Sequence, residues 1–168
     1  LSAIMIASAL GARPIAIDID PAKLSRARQL GALETVDASN EDVCTAINDL
    51  TGGGARSSID ALGSSITATN SINCLQPRGR HVQVGLMTGE DSRSTLPFDR
   101  IVSRELELYG SHGMQAHRYH ELLALIAQSS LDPAQLISRT IPLAEALPAL
   151  TTESAFAEAG IIVIDRIE

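Results

Sequence analysis

Aromatic residues are nearly missing from this chain of 168 residues: there is no tryptophan, and only two tyrosines and two phenylalanines. Without interleaved aromatics there is no stacking platform for single-stranded nucleic acid. Basic character is also scarce. Thirteen lysines and arginines stand against 20 acids, a net charge of −7, with no basic run. That excludes the electrostatic footprint of a nucleic-acid or anionic-membrane binder. No long apolar run occurs either. Leu1 to Leu10 is apolar but too short to span a bilayer, and it lacks the basic flank and cleavage pattern of a signal peptide. Cysteine is limited to Cys44 and Cys74, without CxxC spacing, which reads as two buried free thiols rather than a disulfide or metal site. The compartment that follows is the cytoplasm. No GxSxG elbow, HExxH pair or P-loop is present.

What is there is a repeated switch between helical and extended patterns. Apolar residues make up 45% and charged residues 20%, enough for one ordinary soluble core. Ser2 to Leu10 is apolar on nearly every face and suits a helix packed on a sheet, with Gly11 as its stop. Ile15 to Ile19 is a short continuous apolar strand of the kind buried on both faces. Asp20-Pro21 is an N-cap followed by proline at the first helical position, and that helix ends at Gly31. Glu34 to Asp37 is a strand, and Asn40 is expected to cap the next helix, which carries Val43, Ala46, Ile47 and Leu50. Further strands are expected at Ser58 to Leu62, His81 to Leu86 and Leu106 to Gly110. Helices are expected at Ile66 to Leu75, stopped by Pro77 and Gly79, near Ile101, and at Tyr119 to Ala127.

This alternation with short connections predicts an α/β fold with a doubly wound parallel sheet over 1–130. After Asp132-Pro133 the pattern changes. An extended stretch from Ser138 to Leu143, a helix over Ala144 to Leu150 interrupted at Pro148, and a strand from Ile161 to Ile167 make 131–168 a separate segment.

Asp18 is the most informative residue. It closes the strand after the first helix, where a carboxylate can hold the two hydroxyls of an adenosine ribose and would repel the 2′-phosphate of NADP. Lys23, early in the next helix, can reach the same ribose. The residues alone also allow Asp18 and Asp20 to be nothing more than helix caps. The small residues Ser2, Ala3 and Ala7 make the first helix start a candidate phosphate seat. Gly52-Gly53-Gly54 follows a helix and precedes a strand, the reverse of a phosphate-binding turn. Gly63, Val84-Gly85-Leu86 and Gly110-Ser111-His112-Gly113 end successive strands at one edge, where a ring could approach the backbone, or where the strands simply stop. His117 and His120 share a helical face without completing a zinc set and read as surface residues. His81 reads as structural.

The stretches LSAIMIASALGA, AIDIDPAKLSRARQLGA, TGGGARSSIDALGS and GRHVQVGL together resemble the coenzyme part of the medium-chain, zinc-dependent alcohol dehydrogenase family. The resemblance implies a Rossmann-like fold and NAD-dependent exchange between an alcohol and an aldehyde or ketone. It implies that Asp18 and Lys23 bind the ribose and that the backbone of Ala61, Leu62 and Gly63 lines the cofactor groove. It puts Val84, Gly85 and Leu86 by the nicotinamide, and Ser111 and His112 near its amide. It also implies assembly as dimers or tetramers, and a 131–168 segment that returns to the catalytic domain. In such proteins a glycine-rich loop and a central strand precede the helix that begins at Leu1. The zinc ligands and proton relay lie further upstream. The chain therefore reads as the cofactor half of a larger enzyme, without catalytic or metal residues of its own and inactive alone. Gly160 stands roughly where some relatives place an arginine on the cofactor phosphates.

Three other readings compete. A zinc-free quinone or enone reductase of the same superfamily is the nearest, though such relatives more often use NADPH and tend to lack the acid at Asp18. A methyltransferase would need neither Gly85 nor the tail. A binding module built on a decayed dehydrogenase would fold without cofactor affinity. A sheet lacking its central strand would leave long unpaired edges, and aggregation or strand exchange is expected from them.

Overall fold

The computed structural model describes residues 1–151 and 158–167. In chain order the main elements are α1 (Ser2–Ala9), β1 (Ile15–Asp18), α2 (Pro21–Gln29), β2 (Glu34–Asp37), α3 (Val43–Thr51), β3 (Ala55–Asp60) and α4 (Ser65–Asn73). They continue with β4 (Leu75–Gln83), α5 (Phe98–Ser103), β5 (Glu107–Gly110), α6 (Tyr119–Gln128), β6 (Ile137–Pro142), α7 (Ala146–Thr151) and β7 (Ile161–Arg166). The chain divides into two compact units, one of Leu1–Ser39 with Ala116–Glu168 and one of Asn40–Gln115.

Every ladder is parallel, as the helix–strand alternation requires. Among the described residues the strands form three parallel sheets, β1-β2, β3-β4-β5 and β6-β7, and β1 and β3 each carry a strand partner on one edge only.

In the first unit β1 and β2 run in register from Ile15 opposite Glu34 to Asp18 opposite Asp37. Ala16 on β1 packs with Leu24 and Ala27 of α2 and with Ala32, and Leu1 and Ile4 of α1 lean against them. Three alanines in that set let α2 lie close to the strand. The start of α2 is as its sequence dictates: the Asp20 carboxylate accepts from the Ala22 amide at 2.8 Å, and Pro21 opens the helix. β6 and β7 form their own ladder in the same unit. Pro148 lies in the first turn of α7, where its missing N–H has no helical partner to lose, so the helix continues through it to Thr151. The expected helix ends at Leu150, inside the described residues; 152–157 and 168 lie outside them.

The second unit is built on β3, β4 and β5, with α3 and α4 supplying Val43, Ile47, Ala68 and Ile72 to its core. Two expectations are corrected here. The helix cap before α3 is Asp42, not Asn40; the Asp42 carboxylate accepts from the Thr45 amide at 2.8 Å, which holds its pKa below the ordinary value. β4 begins at Leu75, not His81, and Pro77 and Gly79 lie within it rather than ending a helix. The ladder slips there, from Ala55 opposite Leu75 to Ser57 opposite Arg80, and Arg78 takes a φ of 61°. A bulge leaves residues out of the ladder, so a proline there costs no bond. Cys44 and Cys74 are free thiols whose sulfurs lie 3.4 Å apart. Burial, then the contact with Cys44, pushes the Cys74 thiol well up.

Candidate functional site

At the carboxyl end of β1 the Asp18 side chain is half-buried. Its Oδ1 accepts from the backbone amides of Ile19 at 2.9 Å and Asp20 at 3.1 Å, which fixes the carboxylate's direction. Asp20, not Asp18, caps α2, so the two acids have separate duties. No bond to Asp18 Oδ2 is present among the described residues, and that oxygen is open to a donor. No side chain caps α1 and no acid sits in its first turn. Its leading amides keep their positive end of the helix dipole. Lys23 is half-buried on the first turn of α2. A pocket of about 220 Å³ in this unit lies at the other end of α1, lined by Met5, Ser8, Leu30, Gly31 and Leu131, and does not include Asp18.

In the second unit the loops leaving β3 and β4 touch backbone to backbone. A Cβ on Gly85 would stand 2.3 Å from the Gly63 nitrogen and 2.5 Å from the Leu62 carbonyl carbon. A Cβ on Gly63, whose φ is +87°, would stand 2.7 Å from the Gly85 carbonyl carbon and from the Leu86 oxygen. The two glycines are thus required by each other. The structure brings Ala61, Leu62, Gly63, Val84, Gly85 and Leu86 together, and Leu62, Val84 and Leu86 expose their side chains. Ser111 joins them through its amide, which donates to the Gln83 carbonyl at 2.9 Å. His112 is exposed just beyond it, and His117 and His120 are exposed as expected.

Sequence reasoning missed the group beneath these loops. Asp60, the last residue of β3, is only 4% exposed. Its Oδ1 accepts from the Leu62 amide at 2.9 Å and the Gly63 amide at 3.1 Å. Its Oδ2 accepts from Gln83 Nε2 at 2.8 Å and the Thr67 hydroxyl at 3.2 Å. Gln83 Nε2 also donates to the Gly85 carbonyl at 2.9 Å. With the amide nitrogen committed to two acceptors, Gln83 Oε1 faces His81 Nε2 at 3.1 Å and accepts a hydrogen bond from its N–H. That network assigns His81 the tautomer with Nδ1 bare, accepting from Ser58 and Ser71 hydroxyls at 3.2 and 3.1 Å. His81 is 3% exposed and structural, as its place in a strand implied. The signal that could have found this set was an acid ending a strand, three residues before a glycine.

α4 carries a capping box between Ser64 and Thr67. Asp91, from the loop after β4, accepts from the Ser65 amide at 2.8 Å and from the Ser65 hydroxyl. These bonds, the hydroxyl's first, hold its pKa below the ordinary 3.8. A depressed carboxylate pKa adds stability that is present above the unfolded value and lost as pH falls through the folded one. Asp91→Asn should therefore lower Tm near neutrality, and the gap should close as pH falls below the ordinary 3.8 and through the lowered folded value. Melting curves across that range check it; a gap that persisted unchanged in acid would show that Asp91 does not act through its charge.

Gly160 has no room for the side chain expected in some relatives at that place. A Cβ there would meet the Leu136 oxygen and Ser138 Cβ, both at 2.8 Å. Among the described residues no three His, Cys, Asp or Glu side chains converge to hold a metal ion, and no helix is long and apolar enough to cross a membrane.

Parallel strands with intervening helices, and in each unit loops leaving the strands' carboxyl ends, define the Rossmann-like α/β class. The chain belongs to the zinc-binding dehydrogenase family, whose profile matches residues 1–128. It is 29% identical over 145 residues to D-arabitol-phosphate dehydrogenase of Enterococcus avium, covering 84% of this chain and 41% of that protein. It is 31% identical over 146 residues to erythritol/L-threitol dehydrogenase of Mycolicibacterium smegmatis, covering 84% of this chain and 39% of that protein. Among solved structures it resembles alcohol dehydrogenase TADH from Thermus sp. ATN1, with a TM-score of 0.84 and 26% identity over 98% of this chain and 47% of that one. The chain thus spans about two fifths of the curated relatives it matches.

Proposed function

We propose that this chain is the NAD-binding part of an alcohol dehydrogenase that oxidises an alcohol to an aldehyde or ketone. The observation that carries the reading is Asp18: one carboxylate oxygen is anchored by two amides and the other is open, at the end of β1. A planar acceptor held in that way suits a pair of ribose hydroxyls and rejects a phosphate. Lys23 would stand by the same ribose, and the uncapped start of α1 suits the pyrophosphate. The backbone of Ala61 to Gly63, the Val84 to Leu86 turn, and Ser111 with His112 would hold the nicotinamide. When bound, NAD supplies the hydride acceptor; the chain's share is to orient the ring and exclude water from it. The zinc of the family's name has no ligand set among the described residues, and the residues here are read only as cofactor contacts. On the same reading 1–130 forms the cofactor domain, 131–168 belongs with the catalytic domain, and the enzyme is a cytoplasmic homo-oligomer.

NADH fluorescence titration of this chain is the test. NADH should bind more tightly than NADPH. Asp18→Ala should weaken NADH on the order of tenfold, the worth of a hydrogen bond to a charged group, and should narrow the preference over NADPH. Equal affinities for the two cofactors in the unaltered chain would sink the reading.

A further inference from the structure

The two loops assigned to the nicotinamide are held by one carboxylate that is itself buried beneath them. Asp60 binds both amides of the first loop through Oδ1 and the side chain of Gln83 through Oδ2. Gln83 passes the constraint on to the second loop through the Gly85 carbonyl. The backbone of Asp60 does the same from the other side: its carbonyl accepts from the amides of Val84 and Gly85, both at 2.9 Å. A buried carboxylate keeps its charge only if donors replace water. Here four donors do so: two backbone amides, one side-chain amide and the Thr67 hydroxyl. The orienting chain continues through His81 to Ser58 and Ser71, so the Gln83 amide cannot flip without breaking the His81 bond.

We infer that Asp60 is a positioning residue for cofactor binding. Without touching the cofactor, it sets the spacing of the loops at Leu62-Gly63 and Val84-Gly85, with Gln83 as its link to the second. This rests on the cofactor reading above, but the loop order it predicts can be measured without any cofactor. A carboxylate is required because an amide that kept its oxygen on Gln83 Nε2 and the Thr67 hydroxyl would turn its Nδ2 donor toward the Leu62 and Gly63 amides, also donors. The loops would then part while the strands beneath, held by their own ladder, remain.

The experiment compares the unaltered chain with Asp60→Asn, Asp60→Ala and Gln83→Leu by amide exchange, amide NMR shifts and NADH titration. In the unaltered chain the Leu62 and Gly63 amides should be protected and shifted downfield, as expected of bonds to a charged acceptor. Asp60→Asn should lose that protection and shift and should weaken NADH on the order of tenfold, with β3 and β4 amides still protected. Gln83→Leu should loosen Val84 and Gly85 more than Leu62 and Gly63. If Asp60→Ala fails to fold, the two near-isosteric variants decide. Variants with mobile loops and unchanged NADH affinity would overturn the inference, as would retained protection at Leu62 and Gly63. An unaltered chain that ignores NADH overturns the cofactor reading instead, and the exchange pattern still shows whether Asp60 holds the loops.

Discussion

A Gly63→Ala chain should melt roughly 4–20 °C below the unaltered chain, given a cost of about 2–5 kcal/mol and the usual Tm response for this size. Two penalties combine. Gly63 has a φ of +87°, where an L-residue's Cβ crowds its own backbone at about 1–2 kcal/mol. The new Cβ would also stand 2.7 Å from backbone atoms of Gly85 and Leu86, which cannot turn away as a side chain can. Relief requires the loops to separate, typically at about 1–3 kcal/mol. Gly89→Ala separates the two terms. Its φ is +58° but nothing lies within 4 Å of the added carbon, so it should show the strain without the clash. The separation of the loops should also abolish most NADH binding, since the nicotinamide contacts proposed above depend on their spacing. Differential scanning fluorimetry of both variants is the measurement. Equal melting points for Gly63→Ala and Gly89→Ala would mean that the loops do not constrain each other.

Leu75→Ala should destabilise the chain by about 2–5 kcal/mol, the range for emptying a sealed apolar site. Leu75 is 0% exposed and stands where α4 gives way to β4. Its neighbourhood is held from several directions: Ala55 pairs with it across the ladder, its carbonyl accepts from Arg104 Nη1 at 2.9 Å, and Gly79 closes over its side chain. A site fixed on that many sides collapses little, so the cavity term should be near its full size. Leu75→Met keeps the volume and should cost under about 1.5 kcal/mol. Leu123→Ala, on a largely exposed leucine, should stay within about 0.5 kcal/mol. Urea unfolding of the three variants checks the order. A Leu75→Ala loss no larger than that of Leu123→Ala would show the site to be open.

The contrast between α2 and β4 shows how much was legible in the sequence. α2 announces itself, because Asp20 and Pro21 satisfy the amides of their own first turn, and the nearest neighbours in sequence are the ones that matter. β2 over Glu34–Asp37 is also as expected, although its hydrogen bonds are made with β1. β4 was misread because Pro77 and Gly79 are helix and strand breakers on any local rule. Their place in a bulge depends on Arg78 donating to Arg104 at 2.8 Å, 26 residues away in the chain. Asp42 rather than Asn40 caps α3 because both can cap, and only the geometry of the following turn chooses between them.

The candidate site divides in the same way. Asp18 stands out by its position: an acid at the end of a short apolar strand and before a capped helix. Asp60 did not, though it has a similar place at the end of β3, because its partners Gln83 and Thr67 lie on other elements. Cys44 and Cys74 carry no spacing that would bring their sulfurs to 3.4 Å.

By itself the sequence determined the parallel α/β alternation, the helix starts, the family and the acid at Asp18. Each is written in periodicities, caps and short motifs that neighbouring residues satisfy among themselves. Only the tertiary structure decided that Gly63 and Gly85 exclude a side chain from one another, that one buried carboxylate ties two loops, and that the described strands form three sheets. Those are contacts between segments distant in the chain, and steric exclusion and hydrogen-bond pairing at such distances leave no local trace in the residues that make them.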